Sequence, residues 1–179
     1  MIIRPAKLED LPSITEIHNY YVLNTHITFD VQPFSPEQRV GWFHDHCDGR
    51  RHRIFVAEEN GGRLLGYAAT GAFRTKQAYE TTVEASVACS PDATGRGIGR
   101  QLYQALFAAL ENEDVYLVVA GIAQPNPASN ALHERFGFVP VGTFTQVGRK
   151  FGKYWDVLWM EKKMTPAKET VATRELLSR

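Results

Sequence analysis

The chain predicts an α/β (α+β) fold: one mixed, mostly antiparallel, twisted sheet of about seven strands with helices on both faces. Three observations predict it. Asn60-Gly61-Gly62 separates the strand-like runs Arg53–Glu59 and Leu64–Thr70 and signals a hairpin, so the sheet opens antiparallel. Thr81–Cys89, the helix-like Ile98–Glu111 and the β-branched Val115–Ile122 then read as a βαβ unit. Between its first strand and helix lies Thr94-Gly95-Arg96-Gly97-Ile98-Gly99, a glycine-rich turn placed after a central strand, where open α/β sheets bind ligands.

Taken in order, Met1–Arg4 is a short apolar first strand. Leu11, Ile14, Ile17, His18, Tyr21 and Val22 recur at helical spacing, with Glu9 and Asp10 where a first turn favours negative charge. Ser35-Pro36-Glu37 opens a second helix, with serine as cap and proline in the first helical position. The hairpin and the βαβ unit follow, with Ile98, Leu102, Leu106 and Leu110 forming one stripe of the middle helix. Asn126–Phe136 reads as a short helix stopped by Gly137, and Phe138–Val147 and Tyr154–Met160 are closing strands. Residues 1–164 make a single domain, and 165–179, with little apolar patterning, a C-terminal tail.

At 179 residues one core suffices without staples. A formal net charge of zero offers no field for nucleic acid or an anionic membrane, and the expected partner is a small molecule. Two distant cysteines and no basic-then-apolar start point to the cytoplasm rather than secretion. No apolar run reaches membrane-spanning length.

The glycines at 95, 97 and 99 allow a sharp turn and a close approach by a ligand, and the helix they open offers unpartnered N–H groups. This suits a phosphate, with Arg96 or Arg100 at the rim; a plain strand-to-helix turn is the alternative.

Thr82-Val83-Glu84-Ala85-Ser86-Val87, the Thr94–Gly99 loop and Asn126–Phe138 together resemble the GNAT family of acetyl-CoA-dependent N-acetyltransferases, in its phosphinothricin and methionine sulfoximine/sulfone branch. Asn19-Tyr20-Tyr21, Thr28-Phe29, Ala78-Tyr79, Leu132-His133-Glu134 and Lys150-Phe151-Gly152-Lys153 extend the likeness from about Ile2 to Met164. The resemblance implies a GNAT fold, acetyl-CoA as co-substrate, no metal, and an amino-acid-like acceptor, with transfer by direct attack in a ternary complex. It implies that Thr94, Gly95, Arg96, Gly97, Ile98, Gly99 and Arg100 hold the pyrophosphate. Thr94 stands where relatives carry arginine or glutamine. Main-chain groups of Ser86, Val87 and Cys89 would meet the pantetheine, and the Val87 N–H would polarise the thioester carbonyl. Asn126 and Ser129 complete the cofactor contacts, Asn126 doubling as a helix cap. A homodimer is implied as well.

Acetylating an ammonium group requires a base, and Glu84 is a carboxylate in an otherwise apolar, small-residue strand. The alternative is a carboxylate in water or paired with Arg74 or Lys76. His133 stands where the branch expects a proton donor to the departing thiolate; packing between helix and sheet is the other reading. For the acceptor, Arg74 and Lys76 would supply charge and Phe29, Phe73 and Tyr79 an aromatic wall. His44, His46, Cys47 and His52 crowd together, but residues two apart on a helix diverge and no second cluster completes a zinc site. Two rival readings remain: a GNAT enzyme for a protein N-terminus, a polyamine or an arsenical amino acid, and a non-catalytic CoA- or nucleotide-binding module. The second lacks a Gly-Lys-Ser/Thr ending to the loop.

Overall fold

The computed structural model describes residues 1–47 and 49–164, so the tail expected at 165–179 lies outside the described residues. The strands β1 (Ile2–Pro5), β2 (Arg53–Glu58), β3 (Leu64–Ala72), β4 (Thr82–Cys89), β5 (Leu117–Ala123), β6 (Val139–Lys150) and β7 (Lys153–Lys163) form one seven-stranded sheet, in the order β1-β2-β3-β4-β5-β7-β6. Only β4 and β5 pair in parallel, as the βαβ reading requires. The other neighbours are antiparallel.

Helices α1 (Leu11–Asn24) and α2 (Val40–Asp45) cover one face, where Leu11, Ile14, Ile17 and Phe43 pack on Ile54, Val56, Tyr67 and Ala69. Helix α3 (Ile98–Leu110) covers the other; its predicted stripe of Ile98, Leu102, Leu106 and Leu110 is buried to 2% exposure or less against Leu65, Ala68, Val83 and Val118. Each such side chain contributes about 1.5–3 kcal/mol. Helix α4 (Pro127–Arg135) lies on the α3 side, where His133 meets Tyr103 and Phe138 edge to face.

Three boundaries differ from expectation, each for a local reason. Glu9 and Asp10 form a separate turn before α1, because Arg4 takes both oxygens of Asp10 at 2.7 and 2.8 Å and the Lys7 N–H donates to the same carboxylate. The segment after Pro36 begins as a tight 3₁₀ turn before α2. Ser35 still caps it: the Ser35 N–H donates to Gln38 Oε1 at 2.8 Å and the Gln38 N–H donates back to Ser35 Oγ at 3.4 Å. Strand β6 runs on to Lys150 because an irregularity between Phe144 and Gly148 resets its register on β7.

Candidate active site

β4 keeps its antiparallel partner β3 from Val83 to Cys89, but its parallel pairing with β5 stops at Glu84–Val119. Beyond that point the two strands part. The Ser90 N–H donates to Leu65 O at 2.8 Å, and an antiparallel ladder alternates. Ala88 and Ser86 therefore turn their main-chain groups to β3, whereas Val87 and Cys89 turn theirs into the gap. The expectation that Ser86 offers its main chain to a cofactor is corrected accordingly; its exposed side chain lines the cleft instead. The Cys89 carbonyl is already taken by the Tyr21 hydroxyl at 2.5 Å.

A cleft of about 1000 Å³ runs through the gap. Among the predicted residues, Phe29, Glu84, Ser86, Val87, Cys89, Thr94, Gly95, Ile98, Gly99, Arg100, Asn126, Ser129 and His133 line it, together with Gly97. Arg96, Phe73, Arg74, Lys76 and Tyr79 are not among its lining residues. Arg96 faces away because Glu59 Oε1 accepts from its Nη2 at 3.0 Å, and Arg63 in turn bridges Glu59 and Asp92. The Phe73 ring stands edge-on to Tyr79 and Trp159, with the Arg74 guanidinium over it at 4.9 Å. This group flanks the cleft outside Glu84 rather than walling it.

Glu84 is the one carboxylate among the described residues lining the cleft. It is half-buried, and no hydrogen bond or ion pair engages it among the described residues, so the alternative of pairing with Arg74 or Lys76 is not realised. Burial pushes its carboxyl above the ordinary glutamate range, and the positive field of Arg74 offsets part of that rise.

At the glycine loop, Gly97 adopts φ +73° immediately before α3, a conformation that side-chain-bearing residues rarely hold. Gly97 has no side chain to cap the helix, and of the first-turn N–H groups that of Gly99 donates to the Cys89 sulfur. Thr94 does not substitute for the missing charge; its hydroxyl donates to Pro91 O at 3.1 Å. A phosphate group fits this cradle: a helix start that its own cap residue leaves open, free space above Gly95 and Gly97, and Arg100 at its edge.

His133 is 3% exposed. Its Nδ1 lies 2.8 Å from the Ser129 carbonyl, which only accepts, so Nδ1 carries the proton. Nε2 then accepts from the Tyr103 hydroxyl at 2.9 Å. Burial also holds the imidazole below the ordinary histidine range, favouring the neutral form. With both nitrogens committed, the geometry matches the packing reading rather than a ready proton donor. The Asn126 side chain accepts from the Ser129 N–H, confirming it as the cap of α4.

Sequence reasoning missed a second polar group in the cleft. His18 Nε2 is 2.8 Å from Asp30 Oδ2 and its Nδ1 is 3.3 Å from the Tyr67 hydroxyl. Beside them Arg39, 5% exposed, lies over Trp42 at 4.0 Å with its Nη1 lacking a partner. The spacing of Arg39, at the end of the 3₁₀ turn, and Trp42, on α2, was a usable signal; the approach of both to Tyr67 on β3 was not. His46 hydrogen-bonds its Nδ1 to Trp42 O at 2.8 Å, and among the described residues no three His, Cys, Asp or Glu side chains converge as metal ligands do.

Comparison with known proteins accounts for this arrangement. The family model for the acetyltransferase (GNAT) family matches residues 13–138. The chain is 52% identical over 166 residues to an N-acetyltransferase of Streptomyces griseus, covering 90% of this chain and 86% of the relative. It is 50% identical over 163 residues to phosphinothricin N-acetyltransferase of Streptomyces coelicolor, covering 90% and 95%. The crystal structure of a phosphinothricin acetyltransferase from Sinorhizobium meliloti in complex with acetyl-CoA superposes with a TM-score of 0.86 at 31% identity, covering 94% of each chain. By the family model and these relatives, this chain belongs to the GNAT family of acetyltransferases.

Proposed function

We propose that the protein acetylates the α-amine of a small amino acid or analogue of the phosphinothricin and methionine sulfone/sulfoximine type, by direct attack in a ternary complex. The observation that carries this reading is Glu84: an unpaired, half-buried carboxylate at the last β4–β5 register pair, on the same strand as the open main chain of Val87. Three residues of strand separate the two by about 10 Å, room for an acceptor amine and an ordered water. Acetyl-CoA supplies the activated acyl carbon and a thiolate leaving group. The N–H groups opening α3 hold its pyrophosphate, the Val87 N–H donates to the carbonyl oxygen as negative charge develops, and Glu84 takes the amine proton directly or through that water.

Cys89 lines the cleft, but burial pushes its thiol up, so it stays protonated and is a poor acyl acceptor. That supports direct transfer. An acceptor bearing anionic groups suits a cleft that carries the Arg39 guanidinium inside and Arg74 beside its base. The name of the Streptomyces coelicolor relative, phosphinothricin N-acetyltransferase, supports the same acceptor class. In this reading His133 supports the cleft wall. A thiol-release assay over phosphinothricin, methionine sulfone, methionine sulfoximine and unmodified amino acids tests the proposal. Intersecting initial-rate lines are expected, and parallel lines would refute direct transfer.

The protein is further proposed to work as a cytoplasmic homodimer. Val139, Val141, Phe144 and Val147 along the edge strand β6 are each more than half exposed, an apolar strip of the kind a second copy covers. Light scattering of the purified protein checks the dimer. Only two cysteines in the chain are consistent with a reducing compartment.

A further inference from the structure

From Val139 to Val147 every residue of β6 is exposed, whereas Gly148 and Lys150 are buried. The cause is the register break between Phe144 and Gly148, where Gln146 takes φ +53° and its N–H donates to Asp156 Oδ1 at 2.7 Å. The bulge re-aims the end of the strand toward the segment between α1 and α2. That segment supplies Ile27, Thr28 and Phe29 to the cleft.

Two contacts join them. The Phe29 ring lies on the bare Cα of Gly148, so close that a Cβ built there falls among the ring atoms Cε2, Cδ2 and Cζ. Next to it, the Lys150 ammonium, buried to 3% exposure, donates to the Thr28 carbonyl at 2.8 Å and approaches the Tyr21 carbonyl at 3.4 Å. On its other flank the segment is held by His18 to Asp30, and by Asn19, which exchanges two hydrogen bonds with the Phe34 main chain at 2.8 and 2.9 Å. Phe29 is therefore pinned at its backbone on both sides while its ring rests against a position with no side chain.

We propose that Gly148, acting through Phe29, sets the width of the acceptor end of the cleft, with Lys150 holding the Phe29 backbone so that the ring cannot retreat with its loop. This rests on the amino-acid acceptor proposed above. Any side chain at 148 must displace the ring, and with the backbone held the open direction is the cleft. Gly148 and Lys150 are positioning residues; neither touches the reacting atoms. The property selected is acceptor length, and the reaction chemistry is untouched.

The test compares wild type, Gly148→Ala, Phe29→Leu and the double variant on two acceptors one methylene apart, methionine sulfone and S-methylcysteine sulfone. One methylene in a shaped apolar pocket is worth about 10-fold or more in discrimination. Gly148→Ala is expected to raise KM for methionine sulfone by about 10-fold relative to the shorter acceptor, with KM for acetyl-CoA unchanged. Phe29→Leu in the Gly148→Ala background restores the longer acceptor, and Phe29→Leu alone relaxes the preference. Equal changes for both acceptors, or failure of the double variant to recover, overturn the proposal, because a loss of packing alone would move both acceptors together. Wild type inactive on both sulfones and on every other amino acid removes the amino-acid reading, a result visible without any variant. A crystal structure of Gly148→Ala then still decides the inference: the ring moved into the cleft supports it, and the loop lifted off β6 overturns it.

Discussion

Replacing Glu84 by glutamine keeps the shape of the side chain and removes the only carboxylate among the described residues lining the cleft. General-base catalysis contributes roughly 10²–10⁴-fold. No neighbouring carboxylate can stand in, and His18 is held between Asp30 and Tyr67, so a loss in the upper part of that range is expected. In free energy that is about 4–5 kcal/mol of barrier. The assay is thiol release across pH at saturating acetyl-CoA. Glu84 must be ionised to accept a proton, and burial raises its pKa, so the wild-type acid limb should lie above the ordinary glutamate value of about 4.3 and disappear in Glu84→Gln. Stability should move the opposite way. A carboxyl whose folded pKa is raised favours folding only while protonated; that contribution is complete below the unfolded pKa and is lost as pH rises through the folded one. Glu84→Gln should therefore match wild type in acid and exceed its Tm at neutral pH. A variant with near-normal turnover and an intact acid limb would refute the assignment of the base.

His133→Leu strands the buried Tyr103 hydroxyl, so a loss of about 1–3 kcal/mol is expected, with turnover keeping its pH profile. Because burial lowers the imidazole pKa, wild type should lose stability as pH falls through the ordinary histidine range while the variant does not; unchanged Tm with a lost basic limb in kcat would make His133 the acid after all. Gly97→Val forces a β-branched residue to φ +73°, costing about 1–2 kcal/mol in the loop proposed to cradle phosphate. KM for acetyl-CoA should rise about 10-fold, and an unchanged KM with an altered acceptor KM would move the cofactor elsewhere. Acetyl-CoA at about 100 times its Kd should add about 2.7 kcal/mol to the folded state, read as a thermal shift that NAD and ATP do not produce; equal shifts from all three would support the binding-module alternative.

The parts of the fold that rest on local periodicity were legible in the sequence. Ile98, Leu102, Leu106 and Leu110 announce α3 by spacing alone, and Asn60-Gly61-Gly62 announces the β2–β3 turn. Glu84 was legible because a charge in an apolar strand is costly anywhere. What escaped depends on partners far along the chain. Arg96 is turned from the glycine loop by Glu59, and the Nε2 side of His133 is closed by Tyr103, thirty residues away, although its Nδ1 is fixed locally by Ser129. The bulge in β6 was unreadable for the same reason: it needs Asp156 of the next strand to accept from Gln146.

The place where β4 leaves β5 links the proposed cofactor site to the proposed base. β4 pairs with β3 through seven register positions and β5 with β7 through seven, but β4 and β5 share only three, all at one end. The sheet is thus two antiparallel units hinged at Thr82–Glu84, and strand twist opens them beyond it. Main-chain groups left facing that opening are costly unless something bonds to them. Tyr21 covers the Cys89 carbonyl, while Val87 is left for a ligand. Glu84 occupies the last shared pair, and both of its properties follow from that place: enough protein around it to raise the carboxyl, enough opening for an amine to reach it. One more shared pair would seal Glu84 inside the sheet, and one fewer would return it to water and to an ordinary pKa. The register at which the strands part therefore sets the burial of the proposed base as well as the length of the groove beside it.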